Sequence, residues 1–250
     1  MIVQIYEVQK PDEAELMIDL DVDHIGSVLL SENNWKNNGV KDSIRLIASS
    51  PSRSSLIPLF HSFDAISRAL DFYQPDIVHF CEALTENNGK NADFSRSVAL
   101  QEAVRMRFPE IAVMRSIPIA PPGLSERVPT LELAREFEPL SDYFLTDTLL
   151  IRGSDSAEID QPVSGFVGIT GTLCDWDMAA RLVRQSRIPV ILAGGLSPEN
   201  VYDGIVAVRP AGVDSCTCTN VLDAHGKPIR FKKDLEKVRR FVEMANRAER

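Results

Sequence analysis

Short apolar runs alternate along the whole chain with stretches whose apolar residues recur every three or four positions. The runs fit buried strands and the recurrence fits amphipathic helices. Strands are predicted at Ile2–Tyr6, His24–Leu30, Ser55–Phe60, Asp76–Phe80, Ile111–Ile117, Tyr143–Asp147, Pro189–Ala193 and Gly212–Cys216. Helices are predicted between and after them, at Pro11–Leu20, Lys41–Ala48, Asp64–Tyr73, Phe94–Arg107, Thr130–Phe137, Asp175–Gln185, Pro198–Val208 and Phe231–Ala248. In the helix Asp64–Tyr73, for example, Ile66, Ala69, Leu70 and Tyr73 fall on one face.

Strand–helix units in series over 250 residues are what a (β/α)₈ TIM barrel requires. No internal repeat and no long linker divides the chain, so one barrel domain over residues 1–250 is expected. The least regular stretches are Ser31–Val40, Leu84–Asn91, Ala120–Val128 and Leu149–Gly171, each following a predicted strand. In a barrel such loops lie on the C-terminal face, where ligands bind. Leu149–Gly171 exceeds an ordinary connection and is a candidate lid or phosphate-binding loop.

The stretch Pro189-Val190-Ile191-Leu192-Ala193-Gly194-Gly195-Leu196-Ser197-Pro198-Glu199-Asn200-Val201 concentrates the chemistry. An apolar strand ends in two glycines, and a serine, proline and glutamate open the next helix. Bare backbone ahead of a helix N-terminus can cradle an anion. It also serves as an ordinary turn, and the spacing alone fits both.

Composition narrows the function classes. A net charge of −9 and a pI near 5.0 argue against a nucleic-acid or membrane surface. No signal peptide and no membrane-length apolar run are visible, so a cytoplasmic location is expected. Cys81, Cys174, Cys216 and Cys218 contain no C-x-x-C pair, which favours free thiols over a disulfide framework. Cys216-x-Cys218 has no histidine close in sequence, so neither a metal nor another cofactor is expected.

Several segments together resemble the phosphoribosylanthranilate isomerase family. Gly168-Ile169-Thr170-Gly171-Thr172-Leu173-Cys174-Asp175-Trp176 resembles its GGTGKTFDW loop, and Pro189–Val201 its P-[VI]-I-L-A-G-G-L-x-P-E-N-V segment. Gly212-Val213-Asp214 resembles its G-V-D, and Lys233–Phe241 its K-D-x-x-K-[IV]-R-x-F. Tyr143-Phe144-Leu145-Thr146-Asp147-Thr148 resembles its [FY]-L-L-D-[ST] strand. The likeness covers roughly Tyr143–Val242. It implies a TIM barrel, conversion of a phosphorylated aminoaldose to an aminoketose, and Asp147 as general acid. It also implies a phosphate held by Gly168, Gly171, Thr172, Gly194, Gly195, Leu196 and Thr217.

The first half departs from that family. Gln4-Ile5-Tyr6-Glu7-Val8-Gln9 stands where the family has K-I-C-G-I-T, so Tyr6 replaces the cysteine that serves as base. Ser31-Glu32-Asn33 replaces an S-P-R whose arginine binds the anthranilate carboxylate. Val78-His79-Phe80-Cys81-Glu82 stands for V-Q-L-H-G, and Cys216-Thr217-Cys218-Thr219-Asn220 for S-S-G-V-E.

Such an isomerisation needs one acid and one base on opposite sides of the sugar. A tyrosine, with a pKa near 10, is a poor base. Glu7 and Glu82, at predicted strand ends, are candidate replacements, and each also fits a purely structural role. Arg115 could grip a ligand carboxylate or join a salt bridge at the rim. His79 and Cys81 share one face of a strand and line either the site or the core. Two function classes follow. One is an isomerase-like enzyme, with Tyr6 predicting slow or absent turnover of phosphoribosylanthranilate. The other is a non-catalytic or repurposed barrel binding a different phosphorylated small molecule. The expected partner is a phosphorylated small molecule, with no nucleic acid or membrane, on a monomer or homodimer.

Overall fold

The computed structural model describes residues 1–86, 89–90, 94–150, 166–168 and 171–249. Eight parallel strands close into a barrel: β1 (Ile2–Ile5), β2 (His24–Leu29), β3 (Arg53–Pro58), β4 (Ile77–Phe80), β5 (Ala112–Ile119), β6 (Tyr143–Thr148), β7 (Val190–Leu192) and β8 (Gly212–Ser215). Each strand pairs with its sequence neighbours, and β1 pairs with β8 in the register Ile2↔Gly212 to Ile5↔Ser215. Helices α1 (Pro11–Asp19), α2 (Asn38–Ile47), α3 (Phe63–Tyr73), α4 (Phe94–Arg107), α5 (Thr130–Phe137), α6 (Trp176–Gln185), α7 (Val201–Val208) and α8 (Leu235–Ala248) follow the strands in turn. The expected TIM barrel is therefore the observed fold.

Alternation along each strand divides two interiors. Val78, Phe80, Val113 and Phe144 face the helices and build the outer core. Ile77, Met114, Leu145 and Ile191 fill a layer inside the barrel. The rest of the lumen is polar for a buried space. Gln4, Tyr6, His24, Ser55 and His79 are all almost wholly buried there, and each is hydrogen-bonded. Tyr6 fits because β2 offers a glycine beside it. A Cβ on Gly26 would stand 2.0 Å from the Tyr6 ring.

At the N-terminal rim a carboxylate precedes each of β2, β4 and β6. Asp23 accepts the Val3 amide at 2.7 Å, Asp76 the Ser54 amide at 2.7 Å, and Asp142 the Val113 amide at 2.8 Å. Each bond reaches the second residue of the preceding strand and fixes that strand pair at its base. Ala211 holds the equivalent place before β8, and its amide meets the Val190 carbonyl instead.

The expected barrel strands and helices are all present, most with ends shifted by up to two residues, and three helix starts differ by more. Helix α2 starts at Asn38, ahead of its expected Lys41, because the Asn37 side chain caps the Gly39 and Val40 amides. Helix α7 starts at Val201, since Ser197–Asn200 forms a turn closed by the Asn200 side chain. The last helix begins only at Leu235. Phe231–Lys233 lies instead in a strand, β10 (Pro228–Lys233), paired antiparallel with β9 (Asn220–Leu222). This hairpin between β8 and α8 was not foreseen. Its turn is organised by Asp223, which accepts the His225 and Lys227 amides, and by Gly226 at φ +77°. The proposed lid segment lies largely outside the described residues.

Gly26→Ala should destabilise the barrel by about 1–3 kcal/mol through overpacking against the Tyr6 ring. Urea unfolding should show most of that loss recovered in Gly26→Ala/Tyr6→Val, because the clash is specific to the ring.

Candidate functional site

A pocket opens at the C-terminal end of the barrel, and its two sides differ. One side is largely apolar: Val28, Ile57, Cys81 and the Tyr6 ring line it, with Phe166 and Phe231 packed against the same cluster. The other is built from Asp147, Asp214 and the loops bearing Gly171, Gly194, Gly195, Leu196, Thr217 and Cys218.

Tyr6 sits under the apolar side. Its hydroxyl lies 2.6 Å from Ser55 Oγ and 2.7 Å from His79 Nδ1, and His79 Nε2 lies 2.8 Å from Ser116 Oγ. Burial pushes the Tyr6 phenol well above its ordinary pKa. Burial, with Arg115 behind it, lowers His79 to about 3. Both rings are uncharged at pH 7, and Tyr6 packs as part of the pocket wall. Cys81 and Cys216 are likewise held as thiols, chiefly by burial.

The two carboxyl groups behave differently. Asp147 ends β6, half-buried, with Oδ1 accepting the Thr148 amide at 3.0 Å. Burial and the neighbouring Asp214 push its pKa up to about 8. Gly168 packs directly on this carboxyl; a Cβ there would lie 2.0 Å from Oδ2, and the φ of +94° also requires glycine. Asp214 ends β8, and burial raises it to about 7. The Gln4 amide, which donates to Oδ1 at 3.0 Å, and the Lys233 charge oppose that rise.

The glycine turns are shaped by contact. A Cβ on Gly194 would meet Thr148 Oγ1 at 2.4 Å, and one on Gly195 the Thr172 carbonyl carbon at 2.6 Å. Thr148 Oγ1 donates to the Thr172 carbonyl at 2.7 Å, drawing the two loops together. Among the described residues, the amides of Gly195, Leu196, Thr217 and Cys218 donate to no backbone carbonyl. The Thr217 hydroxyl is buried without a partner. Thr217–Thr219 forms a short helical turn after β8. Lys233 Nζ lies beneath it, donating to the Cys216 carbonyl and Asn220 Oδ1 at 2.7 Å each. Free amides around a helical turn above a buried cation form an anion-binding geometry.

The remaining sequence candidates fall elsewhere. Arg115 points out of the lumen into the helix layer, where it pairs with Glu82, bonds Gln101 Oε1 at 2.7 Å and stacks over Phe137. Glu82 is consumed by that pair. Glu7, at φ +69°, is fully buried against the hairpin, paired with Arg230 and accepting from Asn220 Nδ2 at 2.7 Å. Arg115, Glu82 and Glu7 do not line the pocket. Ile169 and Thr170 of the first glycine loop lie outside the described residues.

A model of the N-(5'-phosphoribosyl)anthranilate isomerase family matches residues 132–244. Relatives bearing that name include one from Methanocella arvoryzae, 34% identical over 56% of this chain and 53% of its own length. Another, from Methanosarcina mazei, is 33% identical over 71% of this chain and 65% of its own. Over these stretches the chain is similar to the phosphoribosylanthranilate isomerases. Its matched stretch spans about half to two thirds of these two relatives. The isomerase structure from Pyrococcus furiosus superposes with a TM-score of 0.62 at 21% identity, over 99% of both chains. A second isomerase structure, in complex with reduced 1-(o-carboxyphenylamino)-1-deoxyribulose 5-phosphate, superposes with a TM-score of 0.66 at 19% identity, over 98% of this chain and 99% of that one. Among the described residues no helix is long and apolar enough to cross a membrane.

Relative to the isomerase motifs, three polar residues of the site escaped the sequence. Gln4 and His24 sit on strands that read as ordinary β pattern, and Lys233 was visible only as the first letter of a helix-start motif. No short-range signal marks them, because their partners are about 10–210 positions away. Asp214 was legible as a residue of G-V-D at the rim and carried no assigned role.

Because Asp147 and Asp214 titrate higher folded than unfolded, the folded protein holds extra protons between about pH 4 and 8, and its stability falls as pH rises through that window. Asp147→Asn and Asp214→Asn should therefore each raise the melting temperature at pH 8 by several degrees, at about 2–4 °C per kcal/mol for this size. Calorimetry at pH 4 should show that gain largely gone.

Proposed function

We propose that the protein is an isomerase of the phosphoribosylanthranilate type, converting a phosphorylated aminoaldose to the aminoketose, with Asp147 as general acid. The observation that carries this reading is the place of Asp147: its carboxyl shares a pocket with the glycine loops, where burial raises its pKa to about 8. A protonated carboxyl can donate to the furanose ring oxygen as the ring opens, while the substrate phosphate occupies the cradle of Gly171, Thr172, Gly194, Gly195, Leu196 and Thr217. Gly168 supports Asp147 from behind. The relatives' names and the phosphorylated ligand of one structural neighbour support the same substrate class.

A second reading, a barrel that binds phosphorylated compounds without turning them over, draws on Tyr6. Where the isomerases place a base, this chain has a phenol bonded inward to Ser55 and His79. Turnover decides between the two.

With phosphoribosylanthranilate generated in situ, loss of its fluorescence should be catalysed by the wild type and slowed 10²–10⁴-fold by Asp147→Asn. Inorganic phosphate should raise the melting temperature of both proteins. Phosphate protection with no wild-type turnover would establish the binding reading in place of the enzyme.

A further inference from the structure

We propose that Asp214 is the catalytic base of this barrel, oriented by a Gln4–His24 relay buried in the lumen. This rests on the isomerase reading above, which by itself supplies an acid and no base. Among the described residues, the pocket-lining side chains that can ionise are Tyr6, His79, Cys81, Asp147, Asp214, Cys216 and Cys218. Burial holds the phenol and the three thiols protonated at neutral pH and the imidazole uncharged. The two carboxyl groups are left, on strands β6 and β8 to either side of β7, so that a sugar seated over the end of β7 would have one carboxyl on each flank.

The surroundings assign them different duties. Asp214 is the better anion of the two. Gln4 Nε2 donates to its Oδ1, and Lys233 contributes positive charge nearby. Among the described residues its Oδ2 accepts no hydrogen bond, so one oxygen remains for a substrate proton. The Gln4 amide is oriented by its second partner. Its Oε1 faces His24 Nδ1 at 3.0 Å, and burial holds that imidazole uncharged, with a pKa lowered to about 4. A neutral His24 protonated on Nδ1 donates to Oε1, which leaves Nε2 for Asp214. A charged Asp214 raises the Asp147 pKa further, which favours one proton on Asp147. Two carboxyl groups whose surroundings separate their titrations form an acid–base pair.

The proton transfers balance. Asp147 gives its proton to the ring oxygen, the ring carbon–oxygen bond breaks, and an iminium forms. Asp214 then removes the C2 proton, and those electrons form the C1–C2 double bond of the enolamine. The Asp214 proton goes to C1 and the 2-hydroxyl proton to Asp147. The aminoketose is released with both side chains in their starting states, and nothing is oxidised or reduced.

The groups facing Asp214 are Gln4 on β1, Tyr6 and Cys216 at the neighbouring strand ends, Asp147 and Lys233. Asp214→Asn should lower kcat 10²–10⁴-fold while protection by inorganic phosphate stays unchanged, showing an intact fold and cradle. Gln4→Met removes the donor that favours the Asp214 carboxylate. It should move the acid limb of the kcat/KM–pH profile to higher pH, so that the loss seen at pH 6.5 shrinks by pH 8. Packing damage alone would lower activity equally at all pH values. Turnover by Asp214→Asn within tenfold of wild type, or an unmoved acid limb in Gln4→Met, overturns the assignment and leaves the isomerase reading standing. An inactive wild type overturns both.

Discussion

A polar side chain that points into a closed barrel must find its hydrogen bonds there, because water cannot follow it. That constraint organises this molecule. Gln4, Tyr6, His24, Ser55, His79 and Ser116 all project into the lumen, and they pair into two chains, Tyr6 with Ser55, His79 and Ser116, and His24 with Gln4 and Asp214. Each chain ends just beneath the pocket. The first closes on neutral groups and makes a rigid wall, while the second ends on a carboxyl. Tyr6 in turn imposes glycine at position 26, so its ring constrains two strands.

Carboxyl groups held above their ordinary titration range cost folding energy at neutral pH. A fold tolerates that at a site and rarely elsewhere. Two other buried acids among the described residues are instead paired with arginines, Glu82 with Arg115 and Glu7 with Arg230. The contrast separates structure from chemistry better than residue type does. Four acids came under suspicion or notice at strand ends, and only the two without a cationic side chain bonded to them line the pocket.

The strand and helix pattern was legible because it depends on local periodicity. The glycine turns were legible because each glycine answers a nearby steric demand, as Gly168 does beneath Asp147. Glu7 and Glu82 misled because their partners, Arg230 and Arg115, are far along the chain, and nothing local reveals a pair formed across the barrel. The hairpin was hidden because the last helix is expected from Phe231, so that Phe231–Lys233 counts as helical. Its turn residues, Asp223 and Gly226, carried the local signal that an isolated strand pair was there.

The three aspartates at the N-terminal rim give the barrel an uneven foundation. The β1–β2, β3–β4 and β5–β6 pairs are each latched by a carboxylate to a main-chain amide, whereas β7–β8 relies on the Ala211 amide and the Val190 carbonyl. The unlatched quarter is the one whose opposite end carries the anion cradle and Asp214. The base of the barrel is thus pinned by side chains at three of these four strand pairs and by main chain alone at the fourth.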